Sequence, residues 1–243
     1  MNLVIDIGNS TSKIAVFDGE ELINIVLDSN HSLDRLDDIS KEYPLQKGII
    51  SSVVYLTDKI HSQLEDLPVR MLHFGPHTPI PINNLYKTPE TLGSDRLAAA
   101  VAAHALQPDK DILIVDAGTC ITYDFIDAAG NYRGGNISPG VHIRLKALHE
   151  FTDKLPYIQS QGETPFWGYS TETAIRAGVM QGVKMEIEGY IRSLQKKNPQ
   201  LFVFLTGGDE FSFDTKIKSA IFADRFLVLK GLNRILNYND KIL

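Results

Sequence analysis

Val4-Ile5-Asp6-Ile7-Gly8-Asn9-Ser10-Thr11, near the start of the chain, has a near-copy in Ile114-Val115-Asp116-Ala117-Gly118-Thr119-Cys120-Ile121-Thr122 near its middle. In each stretch an apolar run ends in Asp, one spacer and Gly; small hydroxyl or amide residues follow, and a second apolar run begins. This pattern reads as strand, tight turn, strand, with a carboxylate at the mouth of the turn and backbone N–H groups beyond it. Such a turn can hold phosphate oxygens, and a carboxylate beside a phosphate is tolerable only with a cation between them, usually hydrated magnesium. A single Asp-x-Gly turn would be unremarkable at a strand end. Two copies, each flanked by strands and followed by Thr, predict a two-lobed architecture in which each half supplies one phosphate-binding hairpin.

The bulk composition narrows the function classes. A chain of 243 residues can bury a sizeable core, as one large domain or two small ones, and 43% hydrophobic with 22% charged residues is ordinary for a soluble globular protein. A formal net charge of −6 argues against nucleic-acid binding through a general basic surface. Cys120 is the single cysteine, which excludes an intrachain disulfide and a cysteine-based zinc cluster. With no basic partner nearby in sequence, Cys120 is expected to be a small buried filler and not a nucleophile. The apolar run Leu3 to Ile5 is stopped by Asp6 and is too short for a signal peptide, and the Ala-rich stretch Leu97 to Leu106 is too short to span a bilayer. A cytoplasmic protein with no membrane and no nucleic-acid partner is the expectation.

Along the chain, Leu3–Ile7, Lys13–Asp18 and Glu21–Leu27 read as an antiparallel meander. Helices around Leu33–Tyr43 and Leu56–Leu64 flank a buried strand at Gly48–Val54, so the first half is an α/β lobe. Met71 to Pro89 shows neither period and reads as a long loop. Ser94 to Leu106 reads as an Ala-rich helix with Ser94 as N-cap. The second lobe opens at Asp111, so residues 1–110 and 111–243 form the expected domains. Beyond Asp127 come a Gly130 turn, the segment Gly134-Gly135-Asn136-Ile137-Ser138-Pro139-Gly140 and a helix to about Phe151. Ile175, Val179, Val183, Ile187 and Ile191 recur every fourth residue and mark a long helix with one buried stripe. Gly178 and Gly182 on that helix suggest close approach of a neighbouring helix. A strand at Leu201–Thr206 ends in Gly207-Gly208-Asp209, and a helix around Phe226–Leu236 closes the chain. The histidines show no metal spacing, since Gly75-Pro76 between His73 and His77 breaks any shared helix face, and they are expected in loops or facing solvent.

Asp6-Ile7-Gly8-Asn9-Ser10-Thr11-Ser12-Lys13, Gly93-Ser94-Asp95-Arg96, Asp116-Ala117-Gly118-Thr119, the Gly134-Gly135 to Pro139-Gly140 segment and Thr206-Gly207-Gly208 occur in the order expected of type III pantothenate kinase. The chain resembles that family, of the actin, hexokinase and Hsp70 superfamily, over essentially its whole length. The resemblance implies a duplicated, two-lobed actin-like (ribonuclease H-like) α/β fold with a central mixed sheet in each lobe. It implies ATP-dependent phosphorylation of the primary hydroxyl of pantothenate to 4′-phosphopantothenate, the first step of coenzyme A biosynthesis. Residues 6 to 13 are assigned to ATP, with Asp6 at the magnesium, directly or through water, and Lys13 near the phosphates. Thr119 is a further ATP contact, and Asp116 resembles the ligand of a monovalent cation, potassium or ammonium.

Gly93-Ser94-Asp95-Arg96 carries the chemistry in this reading. A Ser and an Asp at a helix start also serve capping and the helix dipole. Phosphoryl transfer to an alcohol, however, needs a group that orients the hydroxyl and takes its proton, and the family's Asp in this motif is that group. Asp95 is therefore the expected catalytic base. Gly93 would let substrate approach the backbone, and Arg96 offers a planar donor suited to a carboxylate or a phosphate. Tyr86 and Thr171 resemble further acceptor contacts, so the substrate set is Tyr86, Gly93, Ser94, Asp95, Arg96 and Thr171. The family more often has Asn or Asp where Ser170 stands and an aromatic where Leu97 stands. Relatives are homodimers whose pockets are completed across the interface, and a homodimer is expected here. The competing readings are a sugar kinase of the same superfamily and a non-catalytic regulatory accessory protein. Retention of Asp6, Asp95 and Asp116 together disfavours the latter.

Overall fold

The first apolar run forms strand β1 (Asn2–Ile7), buried at every residue. It sits mid-sheet, so both of its faces are covered and the run needs no polar alternation. β2 (Ser12–Asp18) and β3 (Glu21–Asp28) continue it as the expected antiparallel meander, while β4 (Lys47–Ser52) and β5 (Arg70–His73) add to its other side in parallel, giving the order β3-β2-β1-β4-β5. Helices α1 (Leu36–Glu42) and α2 (Asp58–Glu65) bury Leu36, Ile39 and Ile60 against Leu3, Ile5 and Ile14 of one sheet face. The structure, a computed structural model, describes residues 1–208 and 221–241, so Asp209 lies outside the described residues.

By internal contacts the chain divides into two compact units. The first comprises Met1–Asp109, Ile126–Gly134 and the chain from Phe226 onward, and the second comprises Lys110–Phe125 and Gly135–Arg225. The expected 1–110 and 111–243 domains thus differ from the observed units in two returns of the chain. The tip of a hairpin lies in the first unit, where β6 (Asn83–Asn84) pairs in parallel with Asn131 and Tyr132. The last helix, α6 (Leu227–Tyr238), also packs in the first unit, against α3 (Ser94–Leu106). Small residues permit that contact: a Cβ on Gly231 would lie 1.9 Å from the carbonyl oxygen of Ala98. Polar pins hold α6 as well, with Asn2 Nδ2 donating to Asn233 Oδ1 at 2.8 Å and Asn233 Nδ2 donating to Gly19 O at 2.8 Å.

In the second unit β7 (Ile112–Ala117), β8 (Cys120–Ile126) and β9 (Asn131–Pro139) are joined by β10 (Phe202–Gly207) and β11 (Ile221–Ala223), in the order β11-β10-β7-β8-β9. Helices α4 (Val141–Glu150) and α5 (Thr171–Gln195) cover it, and the whole predicted stripe from Ile175 to Ile191 is buried against Leu113 and Val115. The fold class is therefore α/β with a mixed sheet in each unit.

Several expectations change. The Met71–Pro89 loop contains β5 and β6, because a strand of four residues is too short to show a period and is fixed by pairing with β4. Ser94 is the first helical residue and Gly93 the N-cap, with no side-chain cap bond. Cys120 is partly exposed, as a residue beside a turn must be, rather than buried. His104 lies within α3, not in a loop, and its Nδ1 is buried without a hydrogen-bond partner. Gly178 and Gly182 have nothing within 4 Å of an added Cβ, so among the described residues no other helix approaches them closely.

Candidate active site

The turn after β1 is closed by the Gly8 N–H donating to Thr11 O at 3.0 Å, and Asn30 Nδ2 braces its back by donating to Asn9 O at 2.6 Å. Asn9, Ser10 and Thr11 are exposed, while Ile7 is in the core and Ser12 Oγ is turned inward, donating to Ser29 O at 3.0 Å. Antiparallel register sets Asp6 opposite Lys13, and parallel register sets Asp6 beside Ser51 of β4. Asp6 is 8% exposed. Burial pushes its carboxyl up to about 6; the Lys13 ammonium pulls it back, and the Asp95 carboxylate adds to the rise.

Ser51 Oγ is hydrogen-bonded to Ser94 Oγ at 2.7 Å, which ties the end of β4 to the start of α3. Asp95 is half-buried, and its Oδ1 accepts from the Arg96 N–H at 2.8 Å. A Cβ on Gly93 would stand 2.5 Å from that same Oδ1, so the glycine makes room for the Asp95 carboxylate. The Arg96 guanidinium carbon lies 5.8 Å from the centroid of the Tyr86 ring, a cation–π arrangement that holds both side chains. Gly134, at φ +100°, passes 3.1 Å from the Tyr86 ring as measured from an added Cβ. The first unit thus brings Asp6, Lys13, Tyr86, Ser94, Asp95 and Arg96 onto neighbouring elements, at the C-terminal ends of parallel strands where α/β sheets bind ligands.

In the second unit three separate glycine motifs converge on one turn. Gly118 N–H donates to Cys120 O and Gly140 N–H to Thr119 O, both at 3.0 Å, while Gly208 N–H donates to Ala117 O at 2.9 Å. A Cβ on Gly140 would meet Gly118 O at 2.1 Å, and one on Gly207, at φ +99°, would meet Ala117 O at 2.2 Å. The turn therefore requires glycine on both sides. Asp116 is half-buried at the end of β7 opposite Thr206, and Thr119 is exposed at the turn tip. Thr171 is exposed as the first residue of α5; Ser170 caps the helix in a capping box with Thr173.

Sequence reasoning missed Ser51 and Asn30, since a Ser closing an apolar strand and an Asn in a polar loop look like any turn residue. It also missed a network beneath α5. Tyr123 Oη donates to Glu186 Oε1 at 2.8 Å, Arg144 Nη2 donates to Glu186 Oε2 at 2.6 Å and to Ser138 Oγ at 2.7 Å, and the Tyr123 and Tyr190 rings stack at 4.0 Å. Arg144 and Glu186 lie on different helices, and no period links them.

Each turn sets a strand-end carboxylate, Asp6 or Asp116, beside exposed threonine hydroxyls, and turns of this kind can hold phosphate with a cation between. Similarity to known proteins agrees. The family model for type III pantothenate kinase matches residues 2–193. The type III pantothenate kinase of Phocaeicola vulgatus is 63% identical over 242 residues, covering 100% of both chains, and that of Bacteroides fragilis is 59% identical over 240 residues, covering 99% of both. Among solved structures, a Baf family transcriptional activator from Campylobacter jejuni aligns at TM-score 0.62 and 22% identity over 98% of this chain and 99% of that one. A Listeria monocytogenes protein described as an N-acetylmannosamine kinase aligns at 0.54 and 14%, over 99% of each. These two share the actin-like fold and no more. The sequence relatives, matched end to end, carry the function: this chain belongs to the type III pantothenate kinase family, enzymes that use ATP to phosphorylate pantothenate on the way to coenzyme A.

Proposed function

We propose that Asp95 is the catalytic base of this reaction, receiving the proton of the primary hydroxyl of pantothenate as that oxygen attacks the γ-phosphorus of ATP and the bond to the ADP oxygen breaks. The observation that carries it is the grouping of Asp6, Lys13 and Asp95 within the first unit, close enough that both neighbours act on the Asp6 carboxyl. Thr11 and Lys13 bind the phosphates in this reading, and Thr119 is a further ATP contact. Arg96, steadied over Tyr86, takes the carboxylate of the acceptor. Thr171 supplies a further hydroxyl to the acceptor.

Kinases of this family need a metal with their ATP. A buried carboxylate pushed upward beside a second carboxylate is a donor set that a hard divalent cation fits, and Asp6 would hold magnesium, directly or through water. When bound, magnesium neutralises charge on the phosphates. Asp116, among the turn oxygens at the end of β7, would hold potassium or ammonium. Among the described residues no helix is long and apolar enough to cross a membrane, and we place the enzyme in the cytoplasm, with its ATP.

The assembly is a homodimer in this reading. Its support is an apolar groove of about 820 Å³ between α4 and α5, lined by Leu148, Phe151, Ile175, Gly178 and Val179, with Phe151 86% exposed. ADP release measured with and without pantothenate, with the product identified by mass, tests the reaction. Release that depends on pantothenate supports it; release driven by an amino sugar instead would contradict it.

A further inference from the structure

Between α4 and α5 the chain runs through residues 151–170, an exposed strap with Phe166, Trp167 and Tyr169 at 66%, 81% and 73% exposure. Despite that exposure it is fastened to the first turns of α5 at successive points. Arg176 is the central fastener. Only 5% exposed, its guanidinium lies under the strap, with Nε donating to Gln159 O at 2.9 Å, Nη1 donating to Glu163 O at 3.4 Å and Nη2 donating to the Glu172 carboxylate. Gly162 crosses directly over it at φ +126°, where an added Cβ would sit 2.7 Å from the guanidinium carbon. Further along, Gln181 Nε2 donates to Thr164 O at 3.4 Å, and a Cβ on Gly168 would meet the Ala174 backbone at 2.3 Å.

We propose that Arg176 is a positioning residue: by tying the strap to the first turn of α5, it sets where Thr171, at their junction, presents its hydroxyl to the acceptor. This rests on the acceptor role given to Thr171 above. A buried guanidinium has five donors, and three of them go to two strap carbonyls and the side chain of the residue following Thr171. No nearby apolar group could replace those directional bonds, so losing them frees the strap without opening the helix, whose stripe from Ile175 to Ile191 stays packed.

Arg176→Met, Arg176→Lys, Gly162→Ala and Thr171→Ala test this by steady-state kinetics and by chymotrypsin cleavage in the Phe166–Tyr169 region. Arg176→Met should raise the KM for pantothenate about tenfold, leave kcat and the KM for ATP within about twofold, and speed cleavage in the strap. Arg176→Lys should fall between it and the parent. Gly162→Ala, which disturbs the same contact from the strap side and leaves α5 untouched, should reproduce the effect and add little to Arg176→Met in the double variant. An unchanged pantothenate KM in both folded Arg176→Met and Gly162→Ala overturns the proposal, whether or not the strap loosens; so does a rate lowered by the same factor at every pantothenate concentration, which is a fall in kcat at unchanged KM. Thr171→Ala is read separately: if it alone leaves the pantothenate KM unchanged while Arg176→Met raises it, the acceptor role of Thr171 fails, and with it the route by which Arg176 is said to act.

Discussion

Asp6 shows what the proposed chemistry costs the fold. Burial pushes its carboxyl up to about 6 from an ordinary 3.8, so the metal-free folded protein holds this proton more tightly than the unfolded chain does. Stability from this group is therefore fullest below the unfolded value and falls as pH rises from about 4 to about 6, by about 3 kcal/mol in all. Asp6→Asn removes the buried charge. In urea unfolding at pH 7 without metal it should be more stable than the parent, with no advantage near pH 4, and its turnover should be severely reduced. Lower stability at pH 7 would mean that Asp6 is a structural anchor instead. Asp6 and Lys13 were legible in sequence because Asp6 ends one apolar run at the mouth of an Asp-x-Gly turn and Lys13 stands just past it, at the start of the next strand. Ser51 and Arg176 were not: Ser51 meets Ser94 only after a strand and a helix 43 residues apart have packed, and Arg176 meets its strap carbonyls only once an irregular segment folds back over α5.

At the level of elements, β8, α4 and α5 are joined through one carboxylate. Burial raises the pKa of Glu186, yet hydrogen bonds from Arg144, Ser138 and Tyr123 outweigh it and hold the group below the usual carboxylate range. Burial first, and the Glu186 carboxylate second, push Tyr123 upward, so its hydroxyl remains a donor throughout the working range. A lowered carboxyl contributes stability that is present above the unfolded value of 4.5 and lost as pH falls through the folded one. Thermal melts of Glu186→Gln should accordingly show a loss against the parent at pH 7 that shrinks as pH drops below about 4. A difference independent of pH would assign the effect to shape alone. The long stripe of α5 was readable because five apolar residues repeat on one face; β5 was not, since pairing with β4 and not its own four residues makes it a strand.

At the scale of the whole molecule, the duplicated Asp-x-Gly turn foretold two lobes, and each copy does close a strand hairpin, one in each unit. The return of α6 to the first unit was hidden, because an amphipathic closing helix does not say which sheet it covers. The open faces of Gly178 and Gly182 leave α5 available to a second copy. Specific activity should therefore fall on dilution in step with loss of the dimer by light scattering, whereas a fully active monomer would refute the shared assembly. The central claim rests on Asp95, and Asp95→Asn tests it most directly. With the circular dichroism and melting of the parent retained, turnover of ATP with pantothenate should drop by roughly 10²–10⁴, the range for loss of a general base. Turnover near that of the parent in the folded variant would contradict the account and leave Asp95 as part of a helix start alone.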